Sequence, residues 1–190
     1  MTKPSGPKSA RTRQRLADIA LGLFETAGYE ATTTAQIAAA AGVSEMTLFR
    51  HFASKDRLLL SDPYDPVIAD AVAQQPHDLP VLARIAAGVR ASWRAIPAPV
   101  EADVRRRLRV AATTPALAGA IRSHTRATEA AIAHALTTTG TDPGVARTAA
   151  AAALGALTES LTEWAAAEDG STIGDAIHRA LGVLDEAGSR

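Results

Sequence analysis

Residues 33–52 read Thr-Thr-Ala-Gln-Ile-Ala-Ala-Ala-Ala-Gly-Val-Ser-Glu-Met-Thr-Leu-Phe-Arg-His-Phe, and they carry the strongest structural signal in the chain. Thr33 and Gln36 have the spacing of a capping box, which predicts that a short helix begins there. Gly42 is a suitable end for this helix, and Ser44 is a suitable cap for a second one. Two short helices around a tight turn are typical of a helix-turn-helix motif, whose second helix enters the major groove of DNA.

The residues on both sides of this stretch follow helical periodicity. Between 12 and 27, apolar residues recur at spacings of three and one, which describes one face of an amphipathic helix that ends at Gly28. Helical patterns also cover 55–60, 67–73, 81–96, 100–112, 116–137, 144–167 and 173–187, and no strand pattern is present. The sequence therefore predicts an all-α protein of about nine helices. The expected core residues of the N-terminal part are Leu16, Ile19, Leu23, Phe24, Ile37, Val43, Leu48 and Phe52.

The composition agrees with this fold class. Alanine supplies 44 of the 190 residues, which favours helices over sheets. Cysteine is absent, which excludes disulfide scaffolds, thiolate metal sites and thiol catalysis. No apolar run is long enough to span a membrane, and the N-terminus lacks the apolar segment of a secretory signal. We therefore expect a cytoplasmic protein with no membrane partner.

Charge is balanced in total but unevenly distributed. Lys plus Arg and Asp plus Glu number 20 each, yet the first 15 residues carry five bases and no acid. A basic end on a neutral chain predicts a local site for a polyanion, with a solvated tail as the alternative. The polar, Pro- and Gly-containing composition of residues 1–10 predicts a disordered basic arm. Arg11, Arg13 and Arg15 either reach DNA from there or stay solvated.

Residues 12–60 resemble the N-terminal domain of the TetR family of bacterial transcriptional regulators. The matching positions are Leu23–Tyr29, Thr33-Thr34, Ile37-Ala38, Ala41–Ser44, Thr47–Phe49, His51-Phe52, Ser54–Asp56 and Leu58-Leu59. Met46 and Phe49 depart from the family pattern, in which a small residue and a tyrosine are frequent at these two positions. Without the tyrosine hydroxyl, position 49 has one hydrogen-bond donor fewer to offer to a phosphate.

The resemblance implies a DNA-binding domain over 11–58, with the helix-turn-helix at 33–52, and a helical effector-binding and dimerisation domain over 59–190. Met46 and Thr47 are expected near base edges, and Thr33, Thr34, Arg50, His51 and Lys55 near phosphates. Capping, packing or simple solvation is the alternative for each of them. The residues predicted to contact DNA are Thr33, Thr34, Ser44, Glu45, Met46, Thr47, Phe49, Arg50, His51 and Lys55.

The C-terminal part carries weaker signals. Four arginines on one predicted helix form either a cationic rim for an anionic effector or a solvated face: Arg105, Arg106, Arg107 and Arg109. The last two predicted helices, about 144–167 and 173–187, carry apolar stripes that would form a four-helix bundle across a two-fold axis. Pro63 and Pro66 mark the place where a helix joining the two parts would yield.

These features predict a homodimeric repressor that binds a palindromic operator and is released by an apolar or anionic small molecule. Two other classes of function remain open. An enzyme on a helical bundle is disfavoured, because there is no nucleophile motif, no phosphate-binding glycine loop after a strand and no carboxylate–histidine metal pattern. We therefore expect no catalytic residue, metal or cofactor. A helical adaptor that has lost DNA binding remains open because the total charge is zero.

Overall fold

The computed structural model describes residues 7–60, 65–94 and 100–188, and the regular structure in these ranges is entirely helical. This confirms the predicted all-α fold. A short 3₁₀ helix at Pro115–Leu117 accompanies the α-helices. In chain order these are α1 Pro7–Ala27, α2 Thr34–Ala40, α3 Glu45–His51, α4 Lys55–Leu60, α5 Asp65–Ala73, α6 Val81–Arg94, α7 Val100–Ala112, α8 Ala118–Thr138, α9 Pro143–Ala166 and α10 Ile173–Gly188.

α1 and α5 begin earlier than predicted, and each has a proline in its first turn. α1 begins at Pro7, so residues 7–10 are helical rather than part of a disordered arm, and residues 1–6 lie outside the described ranges. α5 begins at Asp65, with Pro66 in its first turn. Proline is tolerated there because the first N–H groups of a helix have no partner inside it. Pro63, the other residue predicted to mark a yielding point, lies outside the described ranges.

The chain divides into two compact units. The first comprises residues 1–61 together with 110–120, and the second comprises 62–109 together with 121–190. The sequence placed a boundary between 58 and 59 but gave no sign that 110–120 belongs with the N-terminal residues. Leu117, in that segment, is 1% exposed.

The buried face of α1, in the first unit, differs from the predicted one. It consists of Leu16, Ala17, Ala20, Leu21 and Phe24. The sequence overlooked Leu21, and the expected core residues Ile19 and Leu23 are only half-buried, as is Val43. The remaining buried residues of this unit include Ile37, Ala38, Ala41, Leu48, Phe52, Leu58 and Leu59.

The core of the second unit contains the apolar stripes that were predicted to form a dimer interface. α9 packs along α10, and α6 packs against both of them. This packing buries most of the stripe residues inside a single chain, which corrects the prediction for those residues. Three members of the predicted α9 stripe stay exposed or half-buried: Ala151, Ala152 and Leu161. The buried residues are Ala149, Ala150, Ala153, Leu154, Leu157 and Trp164 of α9, and Ile173, Ile177, Leu181 and Leu184 of α10.

Two arginines of α7 close the C-terminal end of α9. Arg105 donates from Nη1 to the Ala167 carbonyl at 2.9 Å and from Nη2 to the Ser171 carbonyl at 2.7 Å. Arg109 Nε donates to the Ala165 carbonyl at 2.6 Å. Cations at this end of a helix satisfy free carbonyls and complement the helix dipole. Both residues are therefore helix caps, which was neither of the two alternatives that the sequence suggested for them.

The other two arginines of that group pair within α7. The Arg107 Nε atom lies 2.8 Å from a carboxylate oxygen of Asp103, and Arg106 Nη1 lies 3.8 Å from the other oxygen. None of the four arginines of α7 therefore forms a free cationic rim.

In α6, the side chain of Arg84 is 2% exposed and donates to the Thr139 hydroxyl at 2.7 Å and to the Thr141 hydroxyl at 3.4 Å.

None of the described helices combines the length and the apolarity needed to cross a membrane.

α5 and α6 approach each other closely at Gly88. A Cβ atom placed there would lie 2.5 Å from Val72 Cγ2 and 2.7 Å from the Val72 backbone. We expect Gly88→Ala to lower the free energy of unfolding by about 1–3 kcal/mol, because the backbone of α5 would have to shift. Gly182→Ala in α10 is the control, since its Cβ meets nothing within 4 Å and the change should leave stability unchanged or higher. Equal midpoints of the two variants in urea denaturation would contradict this close approach.

Candidate nucleic-acid interface

The predicted capping interactions start both short helices. Thr33 Oγ1 accepts the Gln36 backbone N–H at 3.2 Å, and Gln36 Oε1 accepts the Thr33 backbone N–H at 2.8 Å. This confirms the capping box of α2. Ser44 Oγ accepts the Thr47 backbone N–H at 3.2 Å and caps α3. Both helix starts are therefore fixed by side-chain hydrogen bonds to the backbone.

The turn between α2 and α3 depends on Gly42. This residue has φ +63°, in the left-handed region that favours glycine. Its N–H donates to the Ala39 carbonyl at 3.0 Å, and the Val43 N–H donates to the Ala38 carbonyl at 3.0 Å. This pair of bonds is a Schellman motif, which satisfies the last carbonyls of α2 and redirects the chain. Ala38 and Ala41 are buried beside it, and their small side chains allow α2 and α3 to pack closely.

α3 exposes a surface of mixed chemistry. Leu48 and His51 face the core, whereas Glu45, Met46, Phe49 and Arg50 are exposed. Met46 is 83% exposed and Phe49 47% exposed, although both side chains are apolar. The exposed surface of this helix thus combines apolar side chains with the charged side chains of Glu45 and Arg50.

Four of the predicted contact residues carry hydroxyl groups, and these are already hydrogen-bonded. Thr33 Oγ1 donates to Gln36 Oε1 at 3.1 Å, and Thr34 Oγ1 donates to Glu45 Oε1 at 2.6 Å. Ser44 Oγ and Thr47 Oγ1 share a hydrogen bond of 3.0 Å. Each hydroxyl has one hydrogen to donate, so in this structure the donors of Thr33 and Thr34 are engaged. The sequence predicted DNA contacts for these residues but did not indicate the bond between Thr34 and Glu45.

Lys55 lies at the start of α4, as predicted, and its side chain has partners within the chain that the sequence did not indicate. Its Nζ donates to the Tyr29 carbonyl at 2.8 Å and to the Thr32 carbonyl at 3.0 Å, and it lies 4.1 Å from the centroid of the Tyr29 ring. The ammonium group therefore clamps the loop between α1 and α2. Burial and the Asp56 carboxylate raise the pKa of the Tyr29 phenol, so this ring stays neutral. The sequence gave no signal for this role of Tyr29.

His51 and Arg13 also serve packing. His51 is only 7% exposed, which leaves a small part of its side chain for the predicted phosphate contact. The backbone carbonyl of His51 accepts a hydrogen bond from Arg13 Nη1, and the Arg13 guanidinium lies 4.2 Å from the centroid of the Phe52 ring. Burial lowers the pKa of Arg13. Arg13 is therefore neither a free arm residue nor a solvated one.

Other kinds of site have less support. The described residues contain no group of three His, Cys, Asp or Glu side chains that could hold a metal ion.

The second unit has an apolar groove of about 650 Å³ between the start of α6 and the start of α9. Its lining residues are Pro80, Val81, Leu82, Asp142, Gly144, Val145, Thr148, Ala149 and Ala152.

Comparison with known families gives two matches. Residues 16–61 match the model described as "Bacterial regulatory proteins, tetR family", and residues 79–188 match the model described as "MftR C-terminal domain". The HTH-type transcriptional regulator TcmR of Streptomyces glaucescens is 49% identical over 63 residues, which are 30% of this chain and 28% of TcmR. The matches to this and other curated relatives span less than a third of those proteins.

Solved structures with a similar fold extend over almost the whole chain. A TetR-family transcriptional regulator from Mesorhizobium loti has a TM-score of 0.53 and 20% identity, with 95% of this chain and 96% of that chain covered. Thermus thermophilus FadR, solved in complex with lauroyl-CoA, has a TM-score of 0.53 and 21% identity, with 92% and 93% covered. At these identities the likeness concerns the fold.

The turn at Gly42 can be tested against a second glycine of the same unit. We expect Gly42→Ala to destabilise the first unit by about 1–2 kcal/mol, because an L side chain is strained at positive φ. Gly22→Ala should stabilise it by up to about 1 kcal/mol, because Gly22 lies within α1 and its Cβ would meet nothing within 4 Å. Thermal unfolding followed by circular dichroism measures both changes, and a shift in the same direction for both variants would contradict the interpretation.

Proposed function

The chain belongs to the TetR family of bacterial regulatory proteins, and on that premise we propose that it is a homodimeric transcriptional repressor that binds a palindromic operator and is released by a small-molecule effector. The observation that carries the proposal is the exposed surface of α3. Met46 is 83% exposed at the start of this helix, next to Glu45 and one turn before Arg50. The N-terminal residues of the second helix are the ones that contact base edges in helix-turn-helix proteins.

We propose that α9 and α10 form the dimer interface through the faces that one chain leaves exposed. On α9 the part of this face that lies outside the apolar groove consists of small and short side chains, which permit the close approach of a second helix: Ala151, Gly155 and Thr158. On α10, Val183 is 66% exposed. A two-fold axis through such a bundle would present two copies of α3 to DNA, and half-sites about 34–36 Å apart would then be read together.

The effector is proposed to be largely apolar. The groove at the start of α6 and α9 is lined by apolar side chains apart from Asp142 and Thr148. The T. thermophilus neighbour binds lauroyl-CoA, whose acyl chain has the same character. Arg105 and Arg109 do not favour an anionic effector, because their guanidinium groups bind backbone carbonyls at the end of α9. Release from the operator requires that the effector bind one state of the protein more tightly than the other.

DNA binding is tested with duplex fragments from the region upstream of the gene. We expect specific binding with log affinity falling linearly with log salt concentration, at about −0.9 per phosphate contacted. Fluorescence anisotropy of a labelled fragment measures the slope, a scrambled fragment of equal length is the control, and sedimentation velocity measures the dimer. A chain that binds no fragment, or whose binding is independent of salt, would be the helical adaptor instead.

The same salt titration distinguishes the role of Arg50 from that of Lys55. We expect Arg50→Met to reduce the slope by about 0.9, because the exposed guanidinium would neutralise one phosphate. Lys55→Met should leave the slope unchanged and lower the melting temperature, because Nζ of Lys55 holds the carbonyls of Tyr29 and Thr32. If Lys55→Met reduces the slope and leaves the melting temperature unchanged, the result would support the phosphate contact that the sequence predicts for Lys55.

A further inference from the structure

Glu45 is an acidic residue on the surface that we propose to face a polyanion. It is exposed at the first position of α3. Its one hydrogen-bond partner among the described residues is the Thr34 hydroxyl, at 2.6 Å from Oε1, and no described Lys or Arg forms an ion pair with it. A carboxylate in this position is repelled by phosphates. A hydrogen-bond donor on the nucleic acid would offset this repulsion.

The Thr34 bond fixes the orientation of this carboxylate. Thr34 lies in the first turn of α2, and the capping box between Thr33 and Gln36 holds that turn in place. The bond therefore links the starts of the two helices across the Gly42 turn. Oε1 is engaged, whereas Oε2 is available to accept a hydrogen bond.

The groups at the edges of the base pairs determine which base can donate a hydrogen bond to Oε2 of Glu45. In the major groove, cytosine presents the N4 amino group as a donor, whereas guanine presents the acceptors O6 and N7 and thymine presents the acceptor O4. Adenine has a donor at N6, but the acceptor N7 beside it repels a carboxylate. An acceptor-only side chain thus selects cytosine and rejects guanine. The neighbouring Met46 is apolar and suits a thymine methyl group.

We propose that Glu45 is a specificity-determining residue that reads a cytosine in each half of the operator, and that Thr34 is a positioning residue that holds its carboxylate for this contact. The inference rests on the proposed DNA binding and adds to it the chemistry of one base position.

Selection of duplexes from a randomised library, followed by sequencing, tests this proposal. We expect the unaltered protein to select a motif with cytosine at one position of each half-site, and to bind roughly tenfold more weakly when guanine replaces it. Glu45→Gln should shift that position toward adenine, because an amide both accepts from N6 and donates to N7. Thr34→Val should keep the motif but lose several-fold of the discrimination against guanine, and Thr34→Ser should restore it.

Glu30→Gln is the matched control. Glu30 is exposed in the loop before α2, so the substitution removes the same charge away from α3. It should raise the affinity for all sequences alike and leave the motif unchanged. If Glu45→Gln selects the same base as the unaltered protein at every position, the cytosine assignment is wrong and the proposed DNA binding stands. If the unaltered protein selects no motif, the proposed function itself fails.

Discussion

The left-handed conformation of Gly42 is the constraint on which the rest of the first unit depends. It lets the chain leave α2 through two hydrogen bonds to the carbonyls of Ala38 and Ala39 and enter α3 at Ser44 without a longer loop. The relative direction of the two helices follows from this turn. It also brings Thr34 and Glu45, which are eleven positions apart in the sequence, within 2.6 Å of each other. The exposed hydrogen bond between Thr34 and Glu45 thus depends on the backbone conformation of Gly42.

The sequence predicts the features that arise from neighbouring residues. The capping box at Thr33 and Gln36 and the helix end at Gly42 involve residues at most five positions apart, and the structure confirms both. The core of α1 was predicted less well. Apolar residues cover a broad arc of this helix, and their spacing does not show which part of the arc meets the core. The part with Ala17 and Leu21 is buried, whereas Ile19 and Leu23 are half-buried. Periodicity also could not distinguish burial inside one chain from burial between two, which is why the stripes of α9 and α10 were assigned to a partner.

The roles of the cations were the least predictable part. Lys55 reaches carbonyls 23 and 26 positions away, and Arg105 reaches carbonyls 62 and 66 positions away. Such partners depend on tertiary packing, so a local pattern can show a cation without showing what it binds. A shared principle emerges from the structure. Several cations donate to backbone carbonyls at the ends of helices and loops, as expected where free carbonyls carry negative partial charge.

The arginine caps on α9 limit which internal motions the second unit can use. Separating α7 from the turn between α9 and α10 would break three charge-assisted hydrogen bonds, made by Arg105 and Arg109. At about 1.5–3 kcal/mol each, these bonds exceed in sum the 1–3 kcal/mol that typically couples two ligand sites in an allosteric protein. These hydrogen bonds therefore oppose the movement of Arg105 and Arg109 away from the end of α9. A displacement elsewhere in this unit, where no such bonds have to break, would cost less free energy.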